Sequence, residues 1–507
     1  PDWRQKPVTL WYNGGPGAPS TYGLFQEFGP FLLSEDSFDA EFKRTGVPTP
    51  RRNPWTWANV TTLCEIDSPA PMGASFCTEG NGTVSSIGGP AGDAYSCGPW
   101  TDTTVAAANH QAHIAFFRDA FPEFVTGGNP VSIVGESYAG IYIPYFIDAW
   151  LEDPIPGVNL FGFAIGDGCT ACIPMPNRSI NWCINLNNNG FEYPNSLPGP
   201  FWDVHFFWGH AQFSNSLYRQ IMSTCTLDEL YGIRPPEQWS VQCTHLVTEQ
   251  MGEEVGWFYA YNLFEACPDL VSANATTATA NANTVTDASD LPRQRRLRRL
   301  SQRRLAPRAR RRLQSVISFG DGDSGLGAAC LLDSMERWFG LDATKEALHI
   351  PKDNNFIVLD NGIGMNYTID APFVGPVYAK AIKAGLRVML YEGDSDASGL
   401  QTAPMEDVWV PFLGNGTGEW TPAGRLDSLS PPLGLTMTQP WRPFGVLPMY
   451  RKVQGGYVME WAGGQVRFVS IRGAGHLAPT YRPAASFTVM KAFQTKEPLP
   501  PGLASPS

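Results

Sequence analysis

The 507-residue sequence predicts an α/β fold: a mostly parallel central sheet with helices on both faces and a cysteine-rich cap inserted into it. Three observations predict it. Short apolar, β-rich runs stop at Gly- or Asp-containing turns. Segments of helical pattern alternate with these runs. One stretch, from about Cys169 to Cys330, breaks the alternation and holds seven of the ten cysteines.

In chain order, Pro7–Tyr12 (PVTLWY) reads as a strand that ends in Asn13-Gly14-Gly15-Pro16-Gly17, and Thr104–Ala120 reads as a helix. Val131–Val134 is a buried-strand candidate, followed at once by a helical pattern from Tyr138 to Trp150. Leu160–Ile165, Arg387–Tyr391 and Val466–Ile471 repeat the strand theme, with Gly375–Ala384 as a further helix. In such sheets, loops that carry chemistry belong at the carboxyl ends of the strands. The expected organisation is a sheet domain in two parts, residues 1–168 and 331–507, around a cap at 169–330. The cap contains a helical-looking stretch, His210–Cys225, and an excursion at 272–313. That excursion joins a polar low-complexity run, Ser272–Asp290, to Arg293–Arg312. It reads as a solvated, protease-sensitive linker, because Ala, Thr and Asn repeats lead into dibasic pairs. The alternative is an amphipathic basic helix through Leu297, Leu300 and Leu305 that meets membranes or acidic partners.

Formal net charge is −12, yet Arg293–Arg312 carries eleven arginines and no acid, leaving −23 on the rest. An acidic body of this kind excludes a general nucleic-acid binder. No apolar run reaches ~18 residues, so no membrane span is expected. Six N-x-S/T sequons at Asn59, Asn81, Asn177, Asn274, Asn366 and Asn415, together with clustered cysteines, favour the secretory route. Cys169-Thr-Ala-Cys172 has CxxC spacing, but no second pair follows at zinc-finger distance, and no metal or cofactor is implied. The chain opens at Pro1-Asp2-Trp3 directly before an apolar strand, which reads as a mature form or fragment lacking its start.

The strongest chemical signal is Gly135-Glu136-Ser137-Tyr138-Ala139-Gly140, between a strand and a helix. A nucleophile elbow needs small residues around its serine because the strand-to-helix turn is tight. It exposes Oγ and sets the next N–H at a helix N-terminus, where an oxyanion can be stabilised. A hydroxyl also needs a base and a group to orient that base. Gly393-Asp394-Ser395-Asp396 and Gly473-Ala474-Gly475-His476 follow late strands, so Ser137, Asp396 and His476 stand in the order nucleophile, acid, histidine.

With these residues in place, the chain resembles the serine carboxypeptidase family. The matching pieces are WYNGGPG (Trp11–Gly17), LFQEFGP (Leu24–Pro30), GESYAG (Gly135–Gly140), YEGDSD (Tyr391–Asp396) and GAGHLAP (Gly473–Pro479). Trp57–Met72, Phe121–Pro144 and Cys330–Ile350 add to the likeness, which spans almost the whole chain. The resemblance implies an α/β-hydrolase fold and a cofactor-free exopeptidase acting on peptides with a free C-terminal carboxylate. It implies Ser137 as nucleophile, His476 as base and acid, and Asp396 rather than Asp394 as its orienter. It further implies an oxyanion hole at the N–H groups of Gly15 and Tyr138, and a carboxylate site of Asn13, Gly14, Glu27 and Glu136. Two acids can face a substrate carboxylate only if one stays protonated, so acidic pH should favour binding. On the residues alone, Glu136 could be a helix N-terminal acid and Glu27 a solvated helix residue. A vacuolar, lysosomal or extracellular location and a homodimer are compatible with the resemblance. An acyltransferase on the same scaffold is the main alternative, but this chain keeps Glu136 and the Asn13 turn, where plant acyltransferases of the family often differ. Relative to the family, strands before Trp11 are missing, Ala18 replaces a bridging cysteine whose later partner is also missing, and Gly399 stands where Cys or Val is common. Cys64 and Cys77 have no obvious counterparts.

Overall fold

The structure is a computed structural model that describes residues 3–503, apart from 79–83, 87–96, 98, 171, 175–180, 185–195, 198–199, 231–233, 235–237, 257, 260, 265–328, 353, 355, 357–366, 371–372, 399–401, 415–431 and 448–451. The 272–313 excursion and the sequons at Asn81, Asn177, Asn274, Asn366 and Asn415 lie outside the described residues, as does Gly399, whereas Asn59 is exposed.

Eight strands form the central sheet: β1 (Val8–Tyr12), β2 (Thr62–Glu65), β3 (Pro130–Glu136), β4 (Asn159–Gly166), β5 (Arg387–Gly393), β6 (Met437–Val446), β7 (Val453–Trp461) and β8 (Val466–Ile471). Their spatial order is β6-β7-β8-β5-β4-β3-β1-β2. Pairing is parallel from β8 to β2 and antiparallel at β6/β7 and β7/β8. This is the mostly parallel architecture that the alternating pattern predicts. Every residue of β1 and β8 is buried, as strands covered on both faces require.

Side-chain alternation divides the core into two layers. On one face Val8, Leu10, Ile133, Leu390 and Phe468 meet helices α1 (Asp102–Ala115), α2 (Ala139–Glu152), α5 (Gly375–Lys383) and α6 (Thr402–Leu413). On the other face Trp11, Val134, Met389 and Val469 meet α7 (Pro483–Thr495) through Val489, Met490 and Phe493. A buried polar network fixes how α7 docks: Gln494 Nε2 donates to Thr9 Oγ1 at 2.9 Å and to Ser132 Oγ at 3.1 Å.

A helical layer with its own apolar cluster stands over the carboxyl ends of the strands. It includes α3 (Pro200–Gly209) and α4 (Asn215–Thr224), and Cys225 is disulfide-bonded to Cys243. The helix expected over His210–Cys225 is corrected. The preceding helix stops at Gly209, Ala211 takes a positive φ of 58°, and α4 starts after Ser214, whose side chain accepts from Leu217 N–H. An N-cap hydroxyl outweighs the helical pattern that runs through it.

Candidate active site

Ser137 follows the last residue of β3 and is separated from α2 by Tyr138 alone, with a φ of 62°. A left-handed conformation at a non-glycine residue is strained, and here neighbours on both sides hold it. Ser137 N–H donates to the Gly166 carbonyl at 2.9 Å, and the Ser137 carbonyl accepts from Cys169 N–H at 2.9 Å. Glycine is required around this turn for space. A Cβ on Gly140 would sit 2.2 Å from the Cys169 carbonyl oxygen. A Cβ on Gly14 would sit 2.3 Å from Tyr138 N and 2.6 Å from Ser137 Cβ, so the Asn13–Gly15 turn is pressed directly against the elbow. Tyr138 N–H is thereby at the start of a 14-residue helix, beside the backbone of that turn.

The acid and the histidine come from the loops after β5 and β8. His476 Nδ1 lies 2.7 Å from Asp396 Oδ2, and both side chains are buried. Asp396 Oδ1 accepts from Ser398 N–H at 2.8 Å, so its carboxyl is held at both oxygens. Asp394, the alternative acid, turns away: its carboxyl accepts from Gly473 N–H and from Ser395 Oγ. It ties the acid loop to the histidine loop instead of meeting the imidazole. The helical layer closes over the same point. Tyr261 stacks on the His476 ring with centroids 4.7 Å apart and 17° between planes, and its carbonyl accepts from His476 N–H at 2.7 Å. Leu263 N–H donates to the Ser395 carbonyl at 2.9 Å, and Ala397 is part of that layer's apolar cluster.

Asn13, Glu27 and Glu136 form an acidic corner beside the elbow. Asn13 Oδ1 accepts from Trp11 Nε1 at 2.7 Å and from Gly23 N–H at 3.0 Å, which fixes the amide's orientation. Its Nδ2 then donates to Glu136 Oε1 at 2.8 Å. Glu27 and Glu136 are both buried. Neither Glu27 oxygen nor Glu136 Oε2 receives a hydrogen bond from a fixed donor among the described residues. Burial pushes the Glu27 carboxyl up to about 7, against the lowering influence of Glu136 and Asn13. Burial, reinforced by Glu27 and then Asp396, also raises Glu136 well above the usual carboxylate range. Glu136 is thus the last residue of a strand, not a helix-terminal acid, and Glu27 is not solvated. Two buried acids of raised proton affinity, each with an oxygen that no fixed donor meets, can donate to an incoming anion.

The family model described as serine carboxypeptidase matches residues 2–496. The chain belongs to the serine carboxypeptidase family. Lysosomal protective protein of Mus musculus is 26% identical over 512 residues, covering 98% of this chain and 86% of that one. Serine carboxypeptidase-like 31 of Arabidopsis thaliana is 24% identical over 507 residues, covering 98% and 81%. Among solved structures, a prohormone-processing carboxypeptidase from Saccharomyces cerevisiae has the same fold, with a TM-score of 0.55, 16% identity, and coverage of 97% of this chain and 83% of that chain. This protein is a serine carboxypeptidase, a hydrolase.

Of the nine residues singled out in this carboxypeptidase from its motifs, the structure gathers Asn13, Gly14, Gly15, Glu27, Glu136, Ser137 and Tyr138 around the elbow, with the bonded pair Asp396–His476 above the same strand ends. Asp167, Ser398 and Tyr261 are further residues of the centre that motif reading missed. Asp167, Asp396 and His476 each bring one ligand atom within 4.8 Å of the others. For Asp167 a signal existed: Gly166-Asp167-Gly168 is turn chemistry at the carboxyl end of the strand beside the elbow. Tyr261 lies in a segment with no such signal.

Proposed function

We propose that Ser137 is the nucleophile of this carboxypeptidase, that it works through an acyl-enzyme, and that acidic pH favours the reaction. Ser137 Oγ attacks the last peptide carbonyl of a chain with a free C-terminus while His476 takes its proton. Asp396 holds the ring in the tautomer with the proton on Nδ1 and stabilises the imidazolium. The N–H groups of Gly15 and Tyr138 receive the oxyanion. His476 returns its proton to the leaving amine, and water then releases the acylated remainder by the same steps in reverse. Asn13, Gly14, Glu27 and Glu136 hold the terminal carboxylate, which registers the scissile bond one residue from the end.

The observation that carries this reading is the pair of buried carboxyls, Glu27 and Glu136, with unpaired oxygens beside the Asn13 amide. A protonated carboxyl donates to a carboxylate, whereas an ionised one repels it, so the corner supports an anion-terminated substrate at acidic pH. A secretory-pathway location, vacuolar, lysosomal or extracellular, accords with the Cys225–Cys243 disulfide and the exposed sequon at Asn59. Among the described residues no helix is long and apolar enough to cross a membrane.

The test is a pair of peptides of one sequence, with free and amidated C-termini, digested at acidic pH. The free acid should release its last residue much faster, and Ser137→Ala should lower kcat by about 10³-fold or more. Equal cleavage of the two peptides would remove the carboxylate role, and an unchanged Ser137→Ala variant would remove the nucleophile.

A further inference from the structure

A third buried carboxyl sits within the catalytic cluster. Asp167 follows β4 at the turn that crosses under the elbow, with no solvent exposure and a positive φ of 42°. Its N–H donates to the Tyr391 carbonyl at 2.8 Å, and its Oδ1 accepts from Gly393 N–H at 2.8 Å. The preceding residue, Gly166, accepts from Ser137 N–H, and Cys169 donates to the Ser137 carbonyl, so this turn joins the nucleophile to the acid-bearing strand. Asp167 Oδ2 is buried and has no hydrogen-bond partner among the described residues. One Asp167 oxygen lies within 4.8 Å of both an Asp396 oxygen and a His476 ring nitrogen.

Among the described residues, the groups that face Asp167 include acids but no lysine or arginine. Those groups are Glu392 and the Tyr391 hydroxyl from β5, Asp396 from the loop after it, Glu136 from β3, and His476. Asp396 is the better seat for a negative charge, because it is bonded to His476 Nδ1 and to Ser398 N–H. Two like charges in one dry site cannot both be carried cheaply.

We propose that Asp167 is a positioning residue of the catalytic centre, a neutral carboxylic acid that leaves the single negative charge of the Asp167–Asp396 pair on Asp396 and so limits the pH range of the triad from above. Burial, then Glu392 and Asp396, hold its proton well above the usual carboxylate range. When Asp167 ionises, the imidazole faces two anions instead of one, which loosens the orientation that Asp396 dictates. The added charge also opposes the oxyanion at Ser137. This inference rests on Ser137 being the nucleophile, and it separates from the Glu27–Glu136 corner because it acts on any acyl or phosphonyl donor, with or without a carboxylate.

The test uses an uncharged alkyl fluorophosphonate, whose phosphorus takes the Ser137 oxygen while fluoride leaves and the proton passes to His476. Its second-order inactivation rate is followed across pH for the wild type and for Asp167→Asn, with mass spectrometry locating the label. Asparagine tolerates positive φ, keeps an oxygen for Gly393 N–H and cannot ionise. The high-pH fall of the wild-type profile should move up by about one pH unit or more in Asp167→Asn. Coincident profiles with Ser137 labelled overturn the role of Asp167 alone. Absence of label on wild-type Ser137 overturns the nucleophile and this inference with it. Independently of any variant, atomic-resolution crystallography of the wild-type enzyme at acidic pH should find unequal C–O lengths at Asp167, and equal lengths would overturn the neutral acid.

Discussion

Glu27 and Glu136 are buried where a charge is least tolerated, and their proton affinity is raised chiefly for that reason. For Glu27 the consequence has a definite sign. Below about 7 its carboxyl is protonated and can donate to a substrate carboxylate; above about 7 it becomes an anion facing an anion. Replacement by glutamine keeps an N–H donor at every pH. Glu27→Gln should therefore flatten the rise of KM between about pH 6 and pH 8, with kcat less affected, since the group binds the substrate's end and not the reacting carbonyl. KM–pH profiles for one free-acid peptide check this, and identical profiles for variant and wild type would sink it. The elbow serine and the glycines beside it were legible in the sequence, because a tight turn places steric demands on adjacent residues. The protonation of Glu27 was not, because it depends on what lies around the side chain.

Elements were legible in proportion to how fully the sheet buries them. β1, β3, β4, β5 and β8 follow from continuous apolar runs, as strands covered on both faces must. β6 gave no such signal. Its first seven residues are exposed or half-buried, it contains Pro440 and Pro443, and its register with β7 slips three times. Edge strands tolerate proline and irregular pairing that interior strands exclude. Helix α7 is defined by docking as much as by propensity. Gln494 reaches Thr9 and Ser132 on neighbouring strands, and Thr9 also meets Thr61 Oγ1 at 2.7 Å. Gln494→Leu buries those hydroxyls without their donor and should cost roughly 1–2 kcal/mol. Urea unfolding should show a lower midpoint, with peptidase activity at low urea retained, and an unchanged midpoint would refute the role given to Gln494.

At the scale of the molecule, raised acids outnumber lowered bases in the core. Burial raises Glu27, Glu65, Asp67, Glu136, Asp167 and Glu392. An acid whose folded value exceeds its unfolded one destabilises the fold progressively as pH climbs from the unfolded value to the folded one. For Glu27 that window runs from 4.5 to about 7, and it is worth roughly 3 kcal/mol. His113, lowered by burial from 6.5 to about 3, acts oppositely and removes stability as pH falls below 6.5. Among the described residues six raised acids stand against one lowered histidine, so the losses dominate once pH passes the unfolded carboxyl values, and stability should decline steadily from about pH 5 towards pH 8. Urea midpoints across that range test it, and greater stability at pH 8 would contradict it. What the sequence by itself determined is the order of turns and strands: the crowded elbow at Ser137, the glycine turn after β1, and the acid and histidine after late strands. Those demands are local, so neighbouring residues record them. What only the tertiary structure decided is which groups share one dry space. Asp394 turns to Gly473 while Asp396 meets His476, Tyr261 covers the imidazole, and Asp167 arrives beside both from a turn more than two hundred residues before Asp396. Proximity between distant segments, and the loss of water that raises each acid's proton affinity, exist only once the sheet has brought the strand ends together.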